Sequence, residues 1–372
     1  MVYSHVIGGS LSMDFMTENI AASLYPYQIE NIERQIIDYQ SLNLAEKKTN
    51  LDMCPKCRAI HPRLIRGRKS HSGKQMYRCK ECDKRFTYDN GHLTWHSHQP
   101  YDKWSMFIKS TLEHGSLLTN SALINVSPST AFRMRHKFLS FLSILTEEKK
   151  IDKAVEIDEK VFMESHKGYH LSSIKGRKRQ KPAVGGAYSH QFVSLICGAD
   201  RENGSYIHAY SMGHPTLKDA TLFGKHISDN VFAWIDGQTC YPKMLGEKHC
   251  PFKILTDHKE YDSENHLNTV NSLHSRMAGW YRNYRGVSTV YINRYAALFS
   301  TWQKYAGCDL QEIVLKLIQK ISEHIHYFFV RDIMDKGIFE DPTAIYERER
   351  MADHFINPSD GSIGDSTEYW TF

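Results

Sequence analysis

Two Cys-x-x-Cys units, Cys54-Pro-Lys-Cys57 and Cys79-Lys-Glu-Cys82, constrain this chain more than any other feature. Each can place two thiolates on one turn, and two units together complete a tetrahedral Zn²⁺ site. The stretch around them carries few large apolar side chains and cannot close a core unaided. A zinc ribbon over residues 51–90, closed by Cys54, Cys57, Cys79 and Cys82, is therefore expected. The spacer ends in the strand-like Met76-Tyr-Arg78, and Phe86 follows the second pair. The remaining cysteines (Cys197, Cys240, Cys250, Cys308) are scattered among apolar or loop residues and read as packing groups. His92, His96 and His98 lie close by, but with four thiolates at hand they read as ordinary polar residues.

A ribbon of that size leaves most of the 372 residues to other domains. Hydrophobic residues at 41% and charged residues at 24% are the composition of a globular protein. No apolar run is long enough to cross a membrane, and Met1 to Phe15 lack the basic flank and apolar core of a signal peptide. A cytoplasmic location is expected. The formal charge of +5 is a weak pointer to nucleic acid, but its distribution says more. Arg63 to Arg85 is rich in Lys and Arg, and Lys175-Gly-Arg-Lys-Arg-Gln-Lys181 is a dense basic run, whereas the tail from Asp332 is acidic by comparison.

Periodicity suggests a division of the rest. Residues 1–50 form an N-terminal segment with an amphipathic helix from about Tyr25 to Leu44. Over 101–145, helical spacing of Trp104, Phe107, Ile108 and Leu112, a second short helix to Ile124, and the turn Val126-Ser-Pro-Ser-Thr130 before a third helix fit a helix-turn-helix. Thr130, Arg133, Arg135 and Lys137 of that third helix are the expected DNA contacts. After the charged run Glu147 to Lys153, the order β-β-β-α-β-(α)-β-α over 154–305 is that of an RNase H-like α/β domain, a mixed sheet flanked by helices. Residues 306–372 read as an amphipathic helix, Gln311 to Val330, and a polar tail.

Asp158 lies in the first of those strands beside apolar Ile157, an expensive place for a carboxylate without a cation. Asp236 ends the fourth strand directly before Gly237. Asn271 lies on the following helix with His274 on the same face. Carboxylates at neighbouring strand ends are what two-metal phosphoryl transfer requires. Asp257 also follows a strand and stays open as a rival to Asp236, with Glu159 and Glu264 as weaker rivals.

Taken in order, these motifs resemble bacterial insertion-sequence transposases with an N-terminal zinc ribbon and a DDE-type catalytic domain whose third residue is often Asn. The resemblance spans roughly residues 50–305. It rests on the cysteine pairs, Ser129-Thr-Ala-Phe-Arg-Met-Arg135, Val155-Glu-Ile-Asp-Glu159, Glu164-Ser-His-Lys-Gly168, Asp236-Gly-Gln-Thr-Cys-Tyr241 and Gly286-Val-Ser-Thr289. His266-Leu-Asn-Thr-Val-Asn-Ser-Leu-His-Ser-Arg276 is its most specific piece. The family's three catalytic positions fall on Asp158, Asp236 and Asn271. The resemblance implies Mg²⁺ or Mn²⁺ as catalytic metal and Zn²⁺ as structural metal. It also implies double-stranded DNA as partner (the element's terminal inverted repeats and target DNA), a homo-oligomer on DNA, and a nucleoid-associated place in a bacterial cytoplasm. Lys175, Arg177, Lys178 and Arg179 would then grip flanking or target DNA. Such enzymes tend to carry a Lys seven positions after the Asn, and this chain has Ala278 there. That departure leaves three readings open: a weaker phosphate contact, compensation by Arg276 or Arg282, or an element copy that binds DNA without cutting it.

Overall fold

The structure is a computed structural model that describes residues 23–32, 35–36, 51–71, 73–165, 167, 192–202, 204–257, 259 and 261–333. The expected N-terminal helix is seen as helical turns at 26–32, while residues 33–34 and 37–44 of it, the basic run 175–181 and the tail beyond 333 lie outside the described residues.

Strands β1 (Leu64–Lys69), β2 (Gln75–Cys79) and β3 (Arg85–Thr87) form an antiparallel three-stranded sheet in that order. Its core is small: Cys54, Cys79 and Phe86 are buried, with Leu51, Leu64 and Tyr77 half-buried against them. The unit does not float. The His326 amide donates to the Gly91 carbonyl at 2.9 Å, Asn90 Nδ2 donates to the Tyr327 hydroxyl at 2.9 Å, and Arg58 stacks over the Tyr327 ring at 4.3 Å.

Helices α1 (Tyr101–Leu112), α2 (Leu117–Ile124) and α3 (Pro128–Glu147) follow. Ser116 caps α2 by accepting from the Thr119 amide, and Asn125 ends it in the left-handed region at φ 54°. Ser127 caps α3 in the same way through the Thr130 amide, and Pro128, lacking an N–H, suits the first helical position. α3 then runs through the core, packed along α7 (Ile292–Lys304) and touching α8 (Leu310–Glu323). Its length costs it most of its expected basic face. Arg135 is buried and its guanidinium donates to the Gly115 carbonyl at 2.5 Å, while buried Lys137 donates to the Trp95 carbonyl. Burial pushes the Lys137 amine down to about 7. Arg133 stays exposed and Thr130 half-exposed. Positions 133 and 135 are about 200° apart around a helix, so one solvent face could not present both.

The third unit is built on β4 (Val155–Met163), β5 (Phe192–Asp200), β6 (Ser205–His208), β7 (Ala233–Ile235) and β8 (Phe252–Ile254). Helices α4 (Leu217–Gly224), α5 (Cys240–Glu247) and α6 (Asn268–Arg282) alternate with its later strands. The element order is the expected one, with α5 as the optional helix. The sheet runs β6-β5-β4-β7-β8, antiparallel on the β5 and β6 side and parallel on the β7 and β8 side. Alternation sorts its faces. Val155 and Ile157 join Phe223, Tyr241 and Met244 in the core under α4 and α5. Val193, Leu195 and Cys197 join Val270, Leu273, Met277 and Leu298 in the larger core under α6 and α7. Glu156 and Asp158 therefore face α6, and Glu159 faces α5. Among the described residues no helix is long and apolar enough to cross a membrane.

Candidate metal centres

The cysteine pairs form two matching loops. Cys54 N–H donates to the Ala59 carbonyl and accepts, through its own carbonyl, from the Arg58 amide; Cys79 does the same with Lys84 and Asp83. Arg58 and Asp83 both sit in the left-handed region, at φ 57° and 59°, which turns each loop back on itself. The result brings all four sulfurs within 4.8 Å of one another. Cys54 Sγ lies 3.6 Å from Cys82 Sγ, and Cys57 Sγ 3.8 Å from Cys79 Sγ. Those separations are far beyond a disulfide bond. A tetrahedron with metal–sulfur bonds of about 2.3 Å has edges of about 3.8 Å, so the cluster could hold zinc.

The second centre arises where β7 stops. Parallel pairing sets Ile157 against Ile235, so Asp236, the next residue, comes level with Asp158. Beyond that point β4 continues against β5 alone, and its other edge opens at the carboxyl ends of parallel strands, the usual place for a site in such sheets. Asp158, Glu159 and Asp236 each place a carboxylate oxygen within 4.8 Å of the others. Glu159 reaches this group from the opposite face of the strand, and its Oε1 accepts from the Tyr241 hydroxyl at 2.5 Å. Burial, then the neighbouring Asp236, pushes Asp158 up to about 6. Burial pushes Glu159 up to about 7 against the Tyr241 hydrogen bond, and raises Asp236 as well. Half-buried carboxylates that repel one another and gain little from protein cations are suited to a divalent ion with a preference for oxygen ligands.

Helix α6 flanks the group. His274 Nδ1 is 3.7 Å from Asp158 Oδ2, and burial pushes this imidazole down to about 4. Its Nε2 is buried and has no hydrogen-bond partner among the described residues. Asn271 lies one turn earlier on the same side, and Tyr261 is a half-buried phenol whose titration is pushed up by burial and then by the charge of Asp158. Of the rivals, Asp257 accepts from the Lys259 amide and is not among the carboxylates that converge, while Glu159 is. Of the named DNA contacts, Thr130 and Arg133 remain at the surface of the three-helix unit, Arg135 and Lys137 do not, and Lys175, Arg177, Lys178 and Arg179 lie outside the described residues.

Sequence reasoning passed over Glu156. Its carboxylate is wholly buried on the α6 face and accepts from Arg201 Nε at 3.2 Å, the Thr269 amide at 2.7 Å, Thr269 Oγ1 at 2.9 Å and the Val270 amide at 3.0 Å, with His266 Nδ1 at 3.2 Å. An acid between two apolar strand residues was the one available signal, since its partners are more than 40 residues away in sequence.

No family model matches the chain. It is similar to an uncharacterised protein in transposable element ISH50 of Halobacterium salinarum, with 25% identity over 257 residues, covering 66% of this chain and 83% of that protein. Among solved structures it is similar to a chain in the crystal structure of a pre-cleavage Mos1 transpososome, at 10% identity, over 60% of this chain and 79% of that one. The TM-score of that superposition is 0.19, too loose to carry an argument.

Proposed function

We propose that this protein is a DNA transposase: a zinc ribbon and a helix-turn-helix bind the terminal inverted repeats of an insertion element, and an RNase H-like domain cleaves and joins strands with divalent metal. One observation carries the reading, the convergence of Asp158, Glu159 and Asp236 where the β4–β7 pair opens. The relative encoded in a transposable element supports it independently of the geometry.

Asp158, Asp236 and Asn271 would hold Mg²⁺ or Mn²⁺, with Glu159, a weaker rival for the second ligand in the sequence, as a further oxygen donor. Bound there, the metal would activate an attacking oxygen and stabilise the leaving one. The protein's own part is to hold the carboxylates at strand ends rather than on loops, and to place α6 against them. Asn271 is neutral, so the charge that attracts the ions comes from β4 and β7. Phosphate contacts would come from the ribbon's exposed Arg66, Arg68 and Lys69, from Arg133, and from the basic run 175–181. The partners are double-stranded DNA and a second copy of the chain on paired ends.

Ala278, in place of the family's Lys, favours a second reading as a DNA-binding regulator that does not cut. Strand cleavage and joining on a labelled duplex carrying the element's terminal repeat separates the two. The transposase gives joined products only with Mg²⁺ or Mn²⁺, and loses them in Asp158→Ala and Asp236→Ala while binding persists. Tight binding with no cleavage under either metal would establish the regulator instead.

A further inference from the structure

Helix α6 lacks an ordinary start. Its N-cap position is Leu267, whose side chain cannot accept a hydrogen bond; His266 Nδ1 takes the Asn268 amide at a long 3.4 Å, and the Thr269 and Val270 amides are left without a local acceptor. Glu156 supplies one from β4, 113 residues away in sequence, by taking the Thr269 amide and hydroxyl and the Val270 amide. The carboxylate is fully buried, and its charge is met by Arg201, itself stacked on Trp234 at 3.8 Å, and by the positive end of the helix dipole. Beyond the other end of α6, which closes at Arg282 with Asn283 as its C-cap, further contacts tie the following loop to the strand side. Lys167, just past the end of β4, donates to the Tyr284 carbonyl at 2.7 Å and the Gly286 carbonyl at 2.8 Å. Two residues before Lys167, Ser165 exchanges hydrogen bonds with Thr289, its amide to Thr289 Oγ1 at 2.8 Å and its carbonyl from the Thr289 amide at 2.9 Å.

Strand and helix therefore share a register. From Glu156 to Asp158 the strand advances about 6.6 Å. From Val270, which Glu156 holds, to His274, which faces Asp158, the helix advances about 6 Å. Two acids on one strand face thus meet two points of α6 at matching intervals, and Asn271 falls between them.

We propose that Glu156 is a positioning residue: by capping α6 from β4 it fixes the register that sets Asn271 beside the Asp158–Glu159–Asp236 group. The inference rests on the reading of Asn271 as a metal-facing residue, but the clamp itself is a separate fact about the helix. Loss of the charge should free the first turn of α6 before it disturbs the sheet. It should weaken metal binding only through Asn271.

The test uses the full chain with Glu156→Gln, which keeps the shape of the side chain, together with Asn271→Ala and the double variant. Amide exchange at Thr269 and Val270 in metal-free protein should quicken by about tenfold or more in Glu156→Gln, with β7 and α5 unchanged. Unchanged exchange at those amides would overturn the clamp. Affinity for Mn²⁺ should fall by about tenfold in Glu156→Gln, the usual cost of losing an outer-shell partner, and by little further when the substitution is made in Asn271→Ala. An equal loss in both backgrounds would overturn the positioning role, because Glu156 would then act without Asn271. A wild-type chain that binds no Mn²⁺ would sink the metal reading of the site, and the exchange result would still decide the clamp.

Discussion

Cys54, Cys57, Cys79 and Cys82 come from two short loops of the same design, packed on a core of hardly more than Phe86 and the sulfurs themselves. Asp158, Glu159 and Asp236 come from two strands of a sheet that is buried on both faces by large apolar clusters. The first arrangement has nothing else to hold it, so its metal would be part of folding. The second is a set of half-buried, mutually repelling carboxylates on a frame that stands without it, so its metal would be part of chemistry. On the proposed reading one chain would put a cation to both uses, and the local hydrophobic core would decide which is which.

The largest effect should come from breaking the closed site. Cys79→Ser should abolish amide protection in β1, β2 and β3 while leaving β4 and β5 protected, since structural zinc is worth on the order of 10 kcal/mol to so small a unit. Hydrogen exchange resolved by segment checks this, and a ribbon that stays protected without its thiolate would remove the contrast.

Next comes the open site. Asp158→Ala and Asp236→Ala should each lower strand joining by about a thousandfold or more. The melting temperature should hold or rise, because a repelling carboxylate has gone. A fall of many degrees would mean that the acids, like the cysteines, serve folding.

A smaller effect sharpens the same point through pH. Folded Asp158 and Glu159 titrate near 6 and 7, above their ordinary values, so the native state holds more protons than the unfolded chain between about pH 4 and about pH 7. Metal-free stability should therefore decline as pH rises through that window, with the penalty complete above it. Saturating Mg²⁺ should flatten the decline. Thermal melts of wild type against Asp158→Asn isolate this contribution from other titrations, and identical slopes in the two proteins would contradict it.

The smallest predicted change separates surface from core on α3. Arg133→Ala should weaken DNA binding a fewfold and reduce the salt slope by about one, the signature of a lost phosphate contact. Arg135→Ala should leave the slope alone and cost about 1–3 kcal/mol of stability, because the Gly115 carbonyl loses its partner. A changed slope in Arg135→Ala would place that guanidinium at the surface after all.

Much of this was legible in the sequence because it is written locally. The cysteine spacing, the alternation around Asp158 and the Asp236-Gly237 strand end each carry their meaning within a few residues, and the order of strands and helices follows. What could not be read depends on distant packing. Arg135 and Lys137 look solvent-facing until α3 is seen to run between α7 and the loop at Trp95. Glu159 looks like the outward neighbour of a catalytic acid until β7 is seen to end beside it, letting it reach around the strand. Glu156 looks like an alternating polar residue until α6 arrives to be capped.

Element-resolved anomalous diffraction from crystals soaked in Mn²⁺ tests the central contrast most directly. The account predicts zinc among the four cysteine sulfurs before any soak, and manganese between Asp158 and Asp236 after it. Manganese absent from that position, with the carboxylates intact and ordered, would contradict the proposed chemistry.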